Sequence, residues 1–264
     1  MGTLFTEKTA ANRMEIIAHS LEMQTEIYGA VDVPLLQDKL VREGARDVLD
    51  VGIGDGSFLM KLAEATPEIR YLGLEQNEEL IAFAKRRFQK KYMPNVALKC
   101  ANFDSGYTRV HDAVLARFTL QHVDQPDDFL DGVLKALKPG GVFLCLEPIY
   151  DYYDCGEEDK VWRMFRERML AVYAKWGSLP NVPKSAAKMF SKAGFREINV
   201  SVNLLSPATI GRESFSRAVS ITARTLHFTC PEVWDQAAVQ EVENWLAGMT
   251  SDPYLAIAHI HAEK

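Results

Sequence analysis

Asp50, Gly52, Gly54 and Gly56 stand at alternate positions in Asp47-Val48-Leu49-Asp50-Val51-Gly52-Ile53-Gly54-Asp55-Gly56-Ser57. Glycine has no Cβ, so the backbone here can turn tightly and come close to a ligand. An apolar run precedes the turn and an amphipathic segment follows from about Phe58, which reads as a buried strand entering a helix. Ligands bind at such strand ends in α/β sheets. Glu75 closes a second apolar run about twenty residues later, where a carboxylate can accept hydrogen bonds from both hydroxyls of a ribose. The chemistry indicated is binding of a nucleotide-like cofactor. Two common fingerprints fail: Ser57 occupies the third glycine position of Gly-x-Gly-x-x-Gly, and no Gly-Lys-Ser/Thr follows for a P-loop.

The elements that must position these residues alternate from Asp47 onward, as in a parallel doubly wound sheet. Strands are expected at 47–51, 70–75, 96–100, 112–117, 142–147, 195–204 and 254–261. Helices are expected at 57–65, 77–91, 126–137, 157–176, 183–193, 215–226 and 234–249. The fold expected is α/β, a Rossmann-like, doubly wound, seven-stranded, mostly parallel sheet with helical N-terminal and lid insertions. Residues 1–45 read as an N-terminal helical cap, with Ile16, Ile17, Leu21, Met23, Ile27 and Tyr28 near helical spacing and Gly29 and Pro34 punctuating them. Such a leader can cover the fold or make a dimer contact. Residues 46–264 read as the main domain, with lid insertions at about 149–183 and 206–250. Trp162, Phe165, Met169, Val172 and Trp176 fall on one face of the 157–176 helix, the pattern of core or lid packing.

Further segments follow the glycine turn in a fixed order: Glu75, then Ala101-Asn102-Phe103-Asp104, then Ala116-Arg117-Phe118-Thr119-Leu120-Gln121-His122-Val123, then Leu137-Lys138-Pro139-Gly140-Gly141. Over roughly residues 46–148 this resembles the motif series of class I S-adenosylmethionine-dependent methyltransferases. The resemblance implies S-adenosyl-L-methionine as cofactor, held by Asp50, Gly52, Gly54, Gly56, Glu75, Gln76, Asn102, Phe103, Arg117, Phe118 and His122. Asn102 departs from the family, which usually has an acidic residue there for the adenine amino group. An amide oxygen can still accept from that group, and the Phe103 ring can contact the base. Methyl transfer from a sulfonium asks mainly for in-line positioning, exclusion of water and a deprotonated nucleophile. His122 is the leading candidate base because it titrates near neutral pH, although family members also carry His there as a cofactor-pocket residue. Tyr150 and His227 are the other catalytic candidates. Glu147, Tyr150, Tyr152 and Tyr153 follow the fifth strand and can line a substrate pocket; His19 and His227 can equally be ordinary polar contacts.

Composition bounds the rest. With 264 residues and 47% hydrophobic content the chain can bury a full core, as one large domain or a domain with insertions. A formal charge of −6 and no lysine- or arginine-rich block leave no nucleic-acid partner expected. Cys100, Cys145, Cys155 and Cys230 lack metal or redox spacing, and Cys100 and Cys145 read as buried strand residues; no metal site is expected. The first residues carry no signal-like pattern and no apolar run approaches a membrane span, so a cytoplasmic protein without a membrane partner is expected. Insertions rich in Trp, Phe, Tyr, Met and Leu fit a closed pocket for a small aromatic or apolar metabolite, natural products included, methylated on O, N or C. A homodimer is compatible with the leader. The rivals are a tRNA or protein methyltransferase and a non-catalytic S-adenosylmethionine-binding partner subunit. A nicotinamide oxidoreductase is disfavoured by Ser57 and by the lack of a Tyr-x-x-x-Lys pair.

Overall fold

The computed structural model describes residues 10–104, 106–155 and 159–264; positions 3–9 of the expected leader helix and 157–158 of the 157–176 helix lie outside them. Among the described residues seven strands form one sheet: β1 (Asp47–Val51), β2 (Arg70–Glu75), β3 (Val96–Cys100), β4 (His111–Arg117), β5 (Leu137–Pro148), β6 (Arg196–Leu205) and β7 (Leu255–Glu263), in the order β3-β2-β1-β4-β5-β7-β6. The first five run parallel, and β7 is antiparallel to both β5 and β6. This is the Rossmann-like, mostly parallel α/β sheet expected. The strand order reverses between β1 and β4, and that switch point opens the crevice in which such sheets bind ligands.

The helices are α1 (Ala10–Arg42), α2 (Ser57–Ala65), α3 (Glu78–Lys90), α4 (Pro126–Ala136), α5 (Lys160–Lys175), α6 (Pro183–Ala193), α7 (Pro207–Ile210), α8 (Arg212–Thr229) and α9 (Gln236–Gly248). β1 and β4 are apolar and buried almost throughout, as strands covered on both faces must be. Leu36 and Leu40 of α1 join Leu59, Leu62 and Ile81 on one face of the sheet. Leu130, Val133 and Phe190 of α4 and α6 fill the other. A third apolar cluster sits beyond the carboxyl ends of the parallel strands, where Ile27 and Tyr28 of α1 meet Trp162 and Phe165 of α5, Phe215 of α8 and Trp234. Thus α1 belongs to two cores, its last turns to the sheet and its middle to the cap.

Three expectations about local structure are corrected. Gly29 and Pro34 do not break α1, which is one helix of 33 residues. Pro34 and Ala30 are both exposed, so the Ala30 carbonyl that loses its donor four residues on faces water. Trp176 lies past the end of α5 and is 42% exposed, so the buried stripe stops at Val172. Cys145 is buried as expected, but Cys100 is exposed because β3 is an edge of the sheet and alternate residues there face solvent.

Candidate active site

The chain leaves β1 at Val51 and turns through Gly52, Gly54 and Gly56, at φ +77°, +57° and +74°. Glu75, buried at the end of the neighbouring β2, holds this turn. Its Oε2 accepts the Gly54 N–H at 2.9 Å and its Oε1 accepts the Asn77 N–H at 2.9 Å. A carboxylate has about four acceptor positions, so each oxygen keeps one for a further donor. Gln76 follows on the exposed rim. Asn102 is exposed one residue past Ala101, whose N–H donates to the Glu75 carbonyl at 3.0 Å. The Phe103 ring turns into the sheet core, 5.3 Å from Tyr107 and 5.4 Å from Phe129.

Helix α1 is fastened over the turn. Arg87 donates to Glu22 of α1 and to Asp55 of the turn, both at 2.7 Å. Ser57 Oγ donates to Asp55 at 2.7 Å and lies 2.9 Å from Thr25 Oγ1. Burial raises the Asp55 pKa, against the pull of Ser57 and Arg87. Beneath the turn, burial raises Asp50 to about 7, with Arg117 opposing. The Arg117 guanidinium, at the end of β4, lies over the Phe58 ring at 4.3 Å and the Phe118 ring at 4.2 Å. Its Nε donates to Asp32 of α1 at 2.9 Å, while its Nη2 is buried without a partner. The other Asp32 oxygen is 3.7 Å from Nε2 of His259, whose pKa burial lowers.

Glu147 organises the segment after β4. Its Oε1 accepts the N–H groups of Thr119 at 2.8 Å and Leu120 at 2.6 Å; its Oε2 is buried without a partner. Burial raises Glu147 to about 8, although those backbone donors favour the charged form. The preceding Phe118 has φ +54°, and its N–H donates to the Leu146 carbonyl at 2.7 Å. Held this way, Gln121 and His122 reach a cavity of about 150 Å³ that Tyr28, Tyr150, Tyr173 and Val219 also line.

The Tyr150 hydroxyl donates to Gln121 Oε1 at 2.9 Å, and burial raises its pKa well above the phenol range, so it stays protonated. His122, exposed at the cavity rim, has Nδ1 3.1 Å from Ser178 Oγ; partial desolvation by the neighbouring protein lowers its pKa, which leaves it neutral at neutral pH. Tyr153 also lines the cavity, whereas Tyr152 is 48% exposed and lies off it. His227 is not brought there: its Nδ1–H donates to the Trp234 carbonyl at 2.7 Å. His19 faces a separate groove between α1, α8 and α9. Asp32, Glu22, Arg87 and His259 are parts of the site with no local motif to reveal them. Among the described residues no cluster of three or more His, Cys, Asp or Glu is placed to hold a metal ion, and no helix is long and apolar enough to cross a membrane.

Residues 49–143, from β1 to the middle of β5, match a family described as a methyltransferase domain. That stretch contains the glycine turn, Glu75 and the 117–122 segment. These residues form a methyltransferase domain, and the matched family together with the fold supports a class I S-adenosylmethionine-dependent methyltransferase. Solved structures of the same fold hold S-adenosylhomocysteine or S-adenosylmethionine. The site fits that cofactor: a turn with glycine at 52, 54 and 56 lies beside a ribose-competent carboxylate, and a buried guanidinium nitrogen has no protein partner.

A tRNA (guanine-N(7)-)-methyltransferase of Rubrobacter xylanophilus is 26% identical over 163 residues, 55% of this chain and 71% of that protein. A trans-aconitate 2-methyltransferase of an Acidovorax species is 29% identical over 104 residues, 39% of this chain and 38% of that protein. Phosphoethanolamine N-methyltransferase 2 of Haemonchus contortus, solved with phosphomonomethylethanolamine and S-adenosylhomocysteine, superposes with a TM-score of 0.59 at 16% identity, covering 98% of this chain and 60% of that one. At that identity the likeness is one of fold.

Proposed function

We propose that this methyltransferase acts on a small metabolite held in the cavity between α1, α5, α8 and the ends of β4 and β5. The observation that carries this is the cavity's size. About 150 Å³ is the volume of a site that takes up one benzene molecule, too small for a guanine with its ribose. The acidic balance of the chain, −6, adds no electrostatic attraction for a polynucleotide.

The bound cofactor supplies an activated methyl group on a sulfonium. Glu75 would receive the ribose hydroxyls on its two free acceptor positions, and Gly52, Gly54 and Gly56 would let the backbone close on the ligand. The unpartnered Nη2 of Arg117 suits the carboxylate of the methionine part. Gln76 and Asn102 stand at the rim for the adenosine end, and Phe118 and His122 stand where the two sites meet. His122, neutral at neutral pH, takes the proton released by the acceptor; Tyr150 orients the acceptor or Gln121 by donating its hydroxyl. Trp162, Phe165 and the α8 residues exclude water from the reacting atoms.

A second reading, modification of tRNA, is favoured by relatives named for guanine N7 methylation. Incubation with S-adenosylmethionine labelled on the methyl group, once with tRNA and once with a small-metabolite fraction, separates the two. Label is expected in the small-metabolite fraction. Label confined to tRNA would overturn the small-acceptor reading.

A further inference from the structure

The cavity has more to say about its occupant than size. Six aromatic residues line it: Tyr28, Phe118, Tyr150, Tyr153, Phe165 and Tyr173, with the thioether of Met169 beside them. Their planes are not parallel. Tyr28 meets Phe118 at 83° and Tyr150 meets Tyr153 at 65°, while Tyr150 and Tyr173 stack at 27° with centroids 4.9 Å apart. A flat ring asks for parallel walls; these walls make a box, which suits a compact tetrahedral group.

The electrostatics point the same way. Among the described residues lining the cavity there is no Lys, Arg, Asp or Glu. A carboxylate or phosphate acceptor would enter with no cation to meet it, at a desolvation cost of several kcal/mol for an unpaired charge. A cation finds the negative faces of the rings, an attraction that grows when the site is dry.

We infer that the methyl acceptor is an amine nitrogen, and that the aromatic box recognises the alkylammonium head group formed on methylation. In such a transfer the nitrogen lone pair forms the new N–C bond and the pair of the C–S bond stays on sulfur. The positive charge passes to nitrogen, and for a primary or secondary amine His122 receives the proton that is shed. The inference rests on the small-acceptor reading above and narrows it from an aromatic or apolar metabolite to an amine.

The test is titration calorimetry on the protein loaded with S-adenosylhomocysteine, comparing choline with 3,3-dimethyl-1-butanol, its uncharged isostere. Choline is expected to bind at least ten-fold more tightly. Tyr28→Phe is expected to keep that preference and Tyr28→Leu to cut it to three-fold or less, with S-adenosylhomocysteine affinity unchanged in both. Equal binding of the two probes by the wild-type protein, or binding of neither, overturns the amine assignment. Methyl transfer to phenols or carboxylic acids with none to amines overturns it too, yet leaves the small-acceptor reading standing. Transfer to tRNA alone removes the reading on which the assignment rests.

Discussion

Asp32→Ala lowers the unfolding free energy by about 3–5 kcal/mol, the cost of stripping one partner from a buried ion pair. Asp32 and Arg117 are both buried and joined at 2.9 Å, and Asp32 Oδ1 is the carboxylate oxygen that faces His259. Without Asp32 the Arg117 charge is left among Phe58 and Phe118, with Nε orphaned as Nη2 already is. The rings return part of the loss through cation–π attraction, though only about 2 kcal/mol when desolvated. For a chain of this size the melting temperature falls by about 10 °C. The double variant Asp32→Leu with Arg117→Met removes both charges, and recovers most of the loss because apolar replacement of a buried pair is often neutral. Chemical denaturation of the three proteins checks this. A loss below about 1 kcal/mol for Asp32→Ala would mean that the pair adds no more than an exposed one.

Gly52→Ala abolishes tight cofactor binding while leaving a folded protein. A Cβ at Gly52 would lie 2.6 Å from Thr119 Oγ1 and 2.7 Å from its Cγ2, and the residue would sit at φ +77°. The left-handed backbone alone costs an L-residue about 1–2 kcal/mol. The contact cannot be relieved by rotating Thr119 alone, because Oγ1 and Cγ2 are both in the way and Glu147 pins the Thr119 N–H. Either the glycine turn lifts from the cofactor or the 118–122 segment moves, carrying Gln121 and His122 with it. The affinity for S-adenosylhomocysteine is therefore expected to fall by about a hundred-fold, the two terms together exceeding 2.7 kcal/mol. Thr119→Gly in the same chain is expected to return part of it. An affinity within two-fold of wild type would show that the turn is not where the cofactor binds.

Much of the molecule was readable in the chain, and the boundary is physical. The first three strands and α2 lie at their expected limits because each signal is local: a buried apolar run, a glycine turn, a Pro after the helix. The glycines and Glu75 were readable for the same reason, since a turn and a strand end about twenty residues apart form one structural unit. The continuity of α1 through Pro34 was not, because whether a missing hydrogen bond matters depends on whether the orphaned carbonyl faces water. Cys100 looked like a core residue because an edge strand and a central strand share one pattern. The Asp32–Arg117–His259 group joins α1, β4 and β7, and the Glu22–Arg87–Asp55 clamp joins α1, α3 and the turn. Charges so far apart in sequence leave no periodicity. Three tyrosines after β5 could line a substrate pocket; Tyr150 and Tyr153 do line the cavity while Tyr152 is exposed, and the angles of the lining rings depend on the packed α1 and α5, which no local pattern shows.

The most direct measurement is titration calorimetry of the wild-type protein with S-adenosylhomocysteine, beside NADH under the same conditions. One site of micromolar affinity for S-adenosylhomocysteine is expected, with no heat of binding from NADH. Binding of NADH with none of S-adenosylhomocysteine would contradict it, because the glycine turn and Glu75 would then serve a dinucleotide and the acceptor cavity would have no methyl donor beside it.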